Sequence, residues 1–439
     1  MKPYCFVLMP FGRKYDEAGR VVEFDAVYDQ IIAPAIEDAS LEPVRADEEI
    51  IGGIIHKPMF ERLMMCEYAV ADLTTANANV FYELGIRHGV RPYSTVPIAG
   101  SGMRLPFDVA PLRAILYELD DYGFPENSES ARKLLRERLE ACRDPSDDSP
   151  LYQLLTDVPR PDLQRLKTDS FRDLIEYSKS MKERLRRARE EGSGAINVIE
   201  KEIDVIDADP AIVVDLLLSY RAVKDWQGMV DLADKMAPPL KQTILVQEQL
   251  GFALNRLQLH KESEHILTEI IDKHGPSSET NGILGRVYKD QWEKAKENES
   301  PAASAYLEKA IDAYLQGFEA DWRDAYPGIN AVTLMECSDP PDPRRIELIP
   351  VVAYSVKRRL ASKNPDYWDH ATELEVHVLS QESEKARAAL GMALATIRET
   401  WEPETTANNI KMIRNARESR GINSEWIKDI ESTLEQAKP

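Results

Sequence analysis

Residues suited to binding a phosphorylated ligand follow the first apolar segment of the chain. Segment 4–9 (YCFVLM) is succeeded by Phe11, Gly12 and Arg13. A glycine lets the backbone approach a ligand closely, an aromatic ring can stack on a base, and a guanidinium can pair with a pyrophosphate. The spacing matches neither a Walker loop nor a GxGxxG fingerprint, so phosphate binding is predicted from residue types alone. The competing interpretation of Phe11 is a core residue.

A second pair of polar residues lies at the end of the next apolar segment, 41–46. Arg45 is a further candidate for contact with a pyrophosphate, and Asp47 follows two residues later. Both residues have a structural alternative. Arg45 is equally explained by an ion pair, and Asp47 by a solvated position at the rim of the cleft.

Carboxylates that could act on a nucleoside come next. Asp72 closes the third apolar segment, and Asn79 and Glu83 follow at a spacing that puts both on one face of a helix. Asp72, directly after a strand, is placed to accept hydrogen bonds from a ligand. The alternatives are a turn cap at Asp72 and an ion pair between Glu83 and Arg87.

Alternating strand and helix patterns position these residues. Apolar, β-prone segments occur at 4–9, 41–46, 68–73, 95–99 and 114–119, and helical periodicity occurs at 24–39, 59–66 and 77–90. This alternation predicts a parallel sheet with helices on both faces. Ligands of such sheets bind at the carboxyl ends of the strands, which is where the candidate residues fall.

Beyond residue 122 the strand patterns disappear and a helical repeat emerges. Leu250-Gly251 and Leu284-Gly285 are 34 residues apart, and Leu216-Leu217 lies 34 residues before the first pair. A period of 34 residues is typical of tetratricopeptide repeats, whose stacked helix pairs bind peptides or proteins. The segment 291–304 is predicted to be an insertion between two helices. A helical bundle without a partner is the competing interpretation.

Bulk composition excludes several classes of protein. The net charge of −21 disfavours direct contact with nucleic acid, which requires clustered positive charge. The four cysteines lack the spacing of a metal site or of a disulfide framework, so no metal is expected. No apolar segment reaches the length of a membrane span. A cytoplasmic location is therefore expected.

Two family resemblances extend these predictions. The motif VADLTTANANVFYELG at 70–85, with VLMPFG at 7–12, resembles the superfamily that joins TIR domains, TIR-like nucleotide-binding domains and nucleoside 2-deoxyribosyltransferases. That resemblance implies a three-layer flavodoxin/TIR-like fold and assigns the catalytic role to Glu83. Its carboxylate would lie beside a ribose held by Asp72, where it would stabilise or capture the oxocarbenium-like centre formed when an N-glycosidic bond breaks. The segments 279–290, 310–332 and 364–379 resemble the TRAFs-binding regulatory region of apoptosis signal-regulating kinases, which implies a helical scaffold and a protein partner.

The resulting hypothesis has three parts: a TIR-like domain at 1–122, a helical connector at 123–205 and a tetratricopeptide-like region at 206–439. The first domain is expected to be an enzyme that cleaves an N-glycosidic bond of NAD+ or a related nucleotide, with no cofactor. The repeats would sense a partner, in bacterial stress or phage defence. The alternative is a non-catalytic, nucleotide-binding signalling scaffold. A homo-oligomer is compatible with either.

Overall fold

Two units make up the chain. A computed structural model describes residues 2–16, 19–45, 56–91, 93–103, 114–144, 148–155, 157, 168–361 and 365–438. One unit, called the sheet unit here, comprises Met1–Val223 and Lys235–Thr243. The other, called the helical unit, comprises Lys224–Asp234 and Ile244–Pro439. Each is described by itself below.

A six-stranded sheet forms the centre of the sheet unit. The strands of this unit are β1 (Tyr4–Leu8), β2 (Arg13–Tyr15), β3 (Val21–Glu23), β4 (Glu42–Arg45), β5 (Tyr68–Asp72), β6 (Thr95–Gly100), β7 (Ile115–Leu119) and β8 (Pro125–Glu126). The sheet order is β4-β1-β5-β6-β7-β8, and the last pair alone is antiparallel. The predicted parallel sheet is confirmed. The β2-β3 hairpin was not predicted.

Helices up to residue 241 are α1 (Phe24–Val27), α2 (Ala33–Asp38), α3 (His56–Met65), α4 (Ala78–Val90), α5 (Ser128–Ala141), α6 (Pro150–Leu154), α7 (Thr168–Glu191), α8 (Ser193–Glu202), α9 (Pro210–Ala222), α10 (Trp226–Lys235) and α11 (Pro238–Lys241). A π-helical turn, Tyr28–Ile32, joins α1 to α2. It ends two residues before Pro34, whose missing N–H cannot complete the α-helical pattern. The distortion of the helix near this proline therefore takes the form of a π turn.

Both faces of the sheet are covered. Cys5 and Val7 of β1 belong to an apolar core shared with α1, α2 and α5. Tyr4, Phe6 and Leu8 point to the other face, whose core includes residues of α3 and α4. A strand buried on both faces has to be apolar throughout, which is why its sequence shows no alternation.

The helical unit consists of successive antiparallel hairpins. Its further helices are α12 (Ile244–Arg256), α13 (His260–His274), α14 (Ser278–Glu297), α15 (Ala303–Ala320), α16 (Ala325–Cys337), α17 (Arg345–Leu360), α18 (Tyr367–Leu379), α19 (Ser383–Ala395), α20 (Trp401–Ser419) and α21 (Glu425–Gln436). From α12 to α19, and again between α20 and α21, helices adjacent in the chain pack against each other. The predicted array of helix pairs is confirmed.

The repeated glycines lie where helices approach most closely. A Cβ on Gly251 would come within 2.9 Å of Leu267, and a Cβ on Gly285 within 2.6 Å of the Tyr314 ring. Both contacts join the two helices of one hairpin. Leu217, the third residue of the predicted series, is buried in α9 of the sheet unit.

The segment predicted as an insertion is mostly helical. Residues 291–297 continue α14, and α15 begins at Ala303, so both helices of this hairpin are longer than in an average repeat. Trp292 and Ala295 are buried on the added turns. Apolar residues at helical spacing thus extend the hairpin, and the predicted insertion takes the form of longer helices.

Across the described ranges, no helix has both the length and the apolar character needed to cross a membrane. The predicted boundaries at residues 122 and 205 stay predictions.

Candidate functional site

The Phe11-Gly12 loop and Arg45 meet at the carboxyl ends of β1 and β4. The Arg45 guanidinium lies 4.5 Å from the centroid of the Phe11 ring and 4.6 Å from that of Tyr28. It pairs with Asp25 at 2.5 Å, and the same Asp25 oxygen accepts a hydrogen bond from the Gly12 N–H at 3.3 Å. Arg45 is thus held by two rings and a carboxylate. This geometry favours the ion-pair interpretation of Arg45.

The two remaining candidates for contact with a phosphorylated ligand, Arg13 and Asp47, do not join this cluster. Arg13 lies on β2, opposite Glu23 of β3, and its guanidinium pairs with that carboxylate. Its charge is therefore neutralised within the hairpin. Asp47 lies outside the described residues.

Asp72 is enclosed by a hydrogen-bond network at the ends of β5, β6 and β7. The Tyr117 hydroxyl donates to Asp72 Oδ2 at 2.8 Å, and the Thr74 N–H and hydroxyl both donate to Oδ1. Thr74 in turn accepts from the Gly100 N–H at 2.9 Å. Only 1% of Asp72 is exposed. Burial raises the pKa of Asp72 to about 6, although the hydrogen bonds from Thr74 and Tyr117 oppose that rise.

Asn79 and Glu83 both lie on α4, as their spacing predicts. The helix begins after Asn77, whose side chain accepts hydrogen bonds from the backbone N–H groups of Asn79 and Val80. Asn79 is exposed in the first turn, and Glu83 is half-buried one turn later. The structure therefore brings Phe11, Gly12 and Arg45 together, whereas the Asp72 carboxylate is closed to solvent.

Arg87, the proposed partner of Glu83, has a structural role of its own. Its side chain is completely buried, and it donates to the backbone oxygens of Leu63 and Cys66, both at 2.7 Å, and of Glu67 at 3.1 Å. These carbonyls end α3 and lead into β5. A guanidinium is suited to this position because it presents several donors in one plane.

The helical unit presents an apolar surface on α17. Ile346, Pro350, Val351 and Tyr354 are exposed on one side of this helix. Trp322, which precedes α16, lies beside it, with its ring centroid 6.4 Å from that of Tyr354. We refer to these five residues as the α17 surface. Neighbouring exposed apolar side chains of this kind mark interaction sites more often than scattered ones.

The position of the α17 surface is fixed by packing beneath it. Val352 and Val356 are buried on the opposite side of α17. Ser355 donates a hydrogen bond to the backbone oxygen of Trp322 at 2.5 Å, which ties the α15-α16 connection to α17. Trp322 lies within the segment 310–332 that resembles the TRAFs-binding region, but its sequence predicts no role for it, since periodicity alone does not distinguish an exposed aromatic residue from a core residue.

Comparison with known families identifies the family of this chain. The model of the MAP3K TRAFs-binding domain matches residues 80–431. The match covers most of the chain, from within α4 to within α21. The chain belongs to the MAP3K TRAFs-binding domain family. The TIR-like resemblance of the first 120 or so residues is not confirmed by this match.

Curated relatives agree with this assignment. The mitogen-activated protein kinase kinase kinase nsy-1 of Caenorhabditis elegans is 30% identical over 255 residues, which is 52% of this chain and 17% of the relative. Mitogen-activated protein kinase kinase kinase 15 of Mus musculus is 27% identical over 258 residues, 54% of this chain and 19% of the relative. The chain thus spans under a fifth of each of these relatives.

Among solved structures, the chain is similar to a thermophilic tetratricopeptide repeat protein of Thermus thermophilus, with 14% identity, a TM-score of 0.35 and coverage of 46% of this chain and 98% of that one. A tetratricopeptide repeat protein of Parabacteroides merdae gives 13% identity, a TM-score of 0.34 and coverage of 61% and 99%.

These findings correct the functional hypothesis. The predicted cleavage of NAD+ or a related nucleotide is wrong, because the matching family is the MAP3K TRAFs-binding domain and the curated relatives are mitogen-activated protein kinase kinase kinases. The scaffold alternative agrees better with them. The broader expectation that the chain is an enzyme stays a prediction.

Proposed function

We propose that this chain is a signalling scaffold whose helical unit binds a partner protein. The observation that carries the proposal is the TRAFs-binding family match over residues 80–431. This range includes every helix from α12 to α20 and ends within α21. The family description names TRAF proteins as partners. A TRAF or TRAF-like protein is therefore the partner we propose for this chain.

The construction of the helical unit supports this role. Stacked helix pairs offer large, rigid surfaces for protein partners. Exposed aromatic residues in this unit include Trp322, Tyr354 and Trp401. Aromatic side chains are enriched at protein interfaces because they bury a large area with little loss of conformational freedom.

For the sheet unit we propose the finer fold as well. Counted in chain order, its five parallel strands are arranged 2-1-3-4-5, the order of flavodoxin-like folds, and helices cover both faces. This arrangement supports a TIR-like domain in a non-catalytic role. The enclosed Asp72 and the neutralised Arg45 fit a structural use of both residues.

Site-specific photocrosslinking on the full chain tests the scaffold. Benzoylphenylalanine replaces an exposed residue of the helical unit (Tyr354, Trp401 or Leu259) or, as controls, of the sheet unit (Tyr82 or Tyr122). Each purified variant is irradiated with a purified TRAF protein. We expect adducts from helical-unit positions and none from the controls. The absence of adducts from all three helical positions would reject this partner assignment.

A further inference from the structure

The α17 surface ends in a pair of cations. Lys357 and Arg358 follow Tyr354 by three and four residues, so both lie next to it on the exposed side of the helix. The other two basic residues of α17 are engaged, Arg345 with Glu336 at 2.8 Å and Arg359 with Asp369 at 3.0 Å. Lys357 and Arg358 form no ion pair within the described part of the chain.

We propose that the α17 surface binds an acidic amphipathic segment of the partner protein. The apolar face of that segment would cover Trp322, Ile346 and Tyr354, and its carboxylates would meet Lys357 and Arg358. This inference rests on the proposed scaffold function and names the chemistry of the partner. Helix-in-groove and helix-on-surface recognition by apolar anchors with flanking charges is a common mode of peptide binding.

The apolar part of the surface spans about two helical turns. Ile346, Pro350 and Tyr354 succeed one another at intervals of four residues and therefore form one stripe. Trp322 widens the stripe beside Tyr354, where the two rings are tilted by 33°. The pair matches the aromatic anchors that dominate binding at the centre of interfaces.

The charge pattern selects an acidic partner. The whole chain carries a net charge of −21, so an acidic segment is repelled over most of the surface. The helix dipole alone favours cations in a last turn, but Arg359 already supplies one there and is paired. Two additional exposed cations beside Tyr354 provide a local attraction at one end of the apolar stripe, whereas the exposed carboxylate Glu347 lies at the other end, next to Ile346. They would fix the orientation of the bound segment.

The surface is formed before any partner arrives. Gly328 of α16 lies so close to α17 that a Cβ would come within 2.9 Å of Val352. Close packing holds the backbone of α17, and the hydrogen bond from Ser355 holds Trp322 in place. Little conformational entropy is then lost on binding, which favours affinity.

The test measures fluorescence anisotropy of labelled helical peptides on the full chain. The first peptide carries leucine and tryptophan along one face and glutamate at the other positions; a matched peptide has lysine in place of every glutamate. We expect Tyr354→Ser and Trp322→Ala to weaken binding of the acidic peptide about tenfold each. Lys357→Glu should weaken it severalfold and more strongly at low salt.

Matched controls separate the surface from general effects. Tyr82→Ser removes an equally exposed tyrosine, 56% against 54% for Tyr354, and Lys201→Glu reverses an exposed lysine in the last turn of α8. Neither control should change the affinity by more than twofold. Thermal unfolding of every variant verifies that the fold is retained.

Two results would overturn the inference: no measurable binding of the acidic peptide, or equal binding to wild type and Tyr354→Ser. A third result would also overturn it: the lysine peptide binds wild type, and Tyr354→Ser weakens its binding as much as that of the acidic peptide. The α17 surface would then bind apolar helices without selecting for acidic charge. If the peptide experiment fails in one of these ways but a TRAF protein crosslinks to Trp401 or Leu259, the scaffold function stands and only the α17 surface is rejected as a binding site. If no position crosslinks, both proposals fail.

Discussion

The sheet unit and the helical unit each bury a carboxylate, but they stabilise it in opposite ways. Asp72 of the sheet unit accepts hydrogen bonds from the neutral groups of Thr74 and Tyr117. Glu336 of the helical unit accepts from three guanidiniums, those of Arg345, Arg417 and Arg420, at 2.6–3.0 Å.

The pKa values differ accordingly. Burial raises the pKa of Asp72 to about 6. Burial acts in the same direction on Glu336, but the hydrogen bonds and charges of Arg345 and Arg417 outweigh it and lower the pKa. The comparison shows that charged donors can outweigh burial and keep a buried carboxylate ionised, whereas neutral donors do not.

The largest loss of stability is expected when one of the guanidiniums that bind Glu336 is removed. Arg417 is 2% exposed and also donates to the backbone oxygens of Val378 and Leu379, both at 2.8 Å. Arg417→Ala leaves Glu336 short of a partner and two carbonyls unsatisfied. We expect the free energy of unfolding to fall by about 3–5 kcal/mol in denaturant titration.

The control for Arg417 is Arg387→Ala, because Arg387 forms an exposed ion pair with Asp429 at 3.8 Å. Its loss should cost under about 1 kcal/mol. Equal losses for the two variants would show that burial of the network contributes nothing.

The helical unit is also expected to depend on close packing between its helices, which keeps buried networks of this kind in place. Gly285→Ala places a methyl group against the Tyr314 ring. We expect a loss of about 1–3 kcal/mol in unfolding free energy. Gly391→Ala is the matched control, since nothing lies within 4 Å of its Cβ position in α19, and it should stabilise the protein by about 0.5–1 kcal/mol. A stabilising Gly285→Ala would mean that the hairpin is loosely packed.

A third carboxylate sharpens the comparison, because it lies in the helical unit but has a neutral donor. Asn409 donates to Glu375 at 3.2 Å and accepts from Lys289 at 2.9 Å. Burial raises the pKa of Glu375 to about 7, against the opposing hydrogen bond from Asn409 and charge of Lys289. Glu375 thus resembles Asp72 more than it resembles Glu336.

The sign of the pH effect follows. A carboxyl whose folded pKa exceeds its unfolded value stabilises the fold below about pH 4.5, and the contribution is lost as the pH rises through about 7. Glu375→Gln does not titrate. Relative to wild type, its unfolding free energy should therefore rise by roughly 2 kcal/mol between pH 5 and pH 8. A difference that is constant with pH would contradict the raised pKa.

The smallest expected effect tests the neutral network of the sheet unit. Tyr117→Phe removes the hydroxyl that donates to Asp72, at a cost of about 1 kcal/mol in the free energy of unfolding. Tyr82→Phe, at an exposed tyrosine of α4, should be within about 0.5 kcal/mol of wild type. If both variants unfold at the same denaturant concentration as wild type, the Tyr117 hydrogen bond does not contribute to stability.

Sequence patterns predict the architecture well where burial is two-sided or periodic. The apolar run at 4–9 and the glycines at 251 and 285 report packing directly, so β1 was predicted to within a few residues and the helical repeat was predicted from its period. The β2-β3 hairpin was missed because Arg13–Tyr15 is polar and exposed, with no apolar alternation. Helix extension at 291–297 was missed because a repeat period fixes spacing, not helix length.

The candidate site could be predicted only in part. Residue types and strand ends correctly bring Phe11 and Gly12 to Arg45. They do not show that Tyr117, 45 residues away in sequence, closes over Asp72. Exposure of Trp322 and Tyr354 was equally invisible, since it depends on which neighbours pack against α17.

The buried guanidinium of Arg87 bears on how mutational data for this protein are interpreted. Its planar guanidinium donates hydrogen bonds to three backbone oxygens, and a lysine ammonium cannot reproduce this arrangement. A saturation scan would therefore score position 87 as intolerant even of Lys, one helical turn after Glu83. Intolerance at this position could be mistaken for evidence of a catalytic centre, although it reflects only the structural contact between the end of α3 and the start of β5.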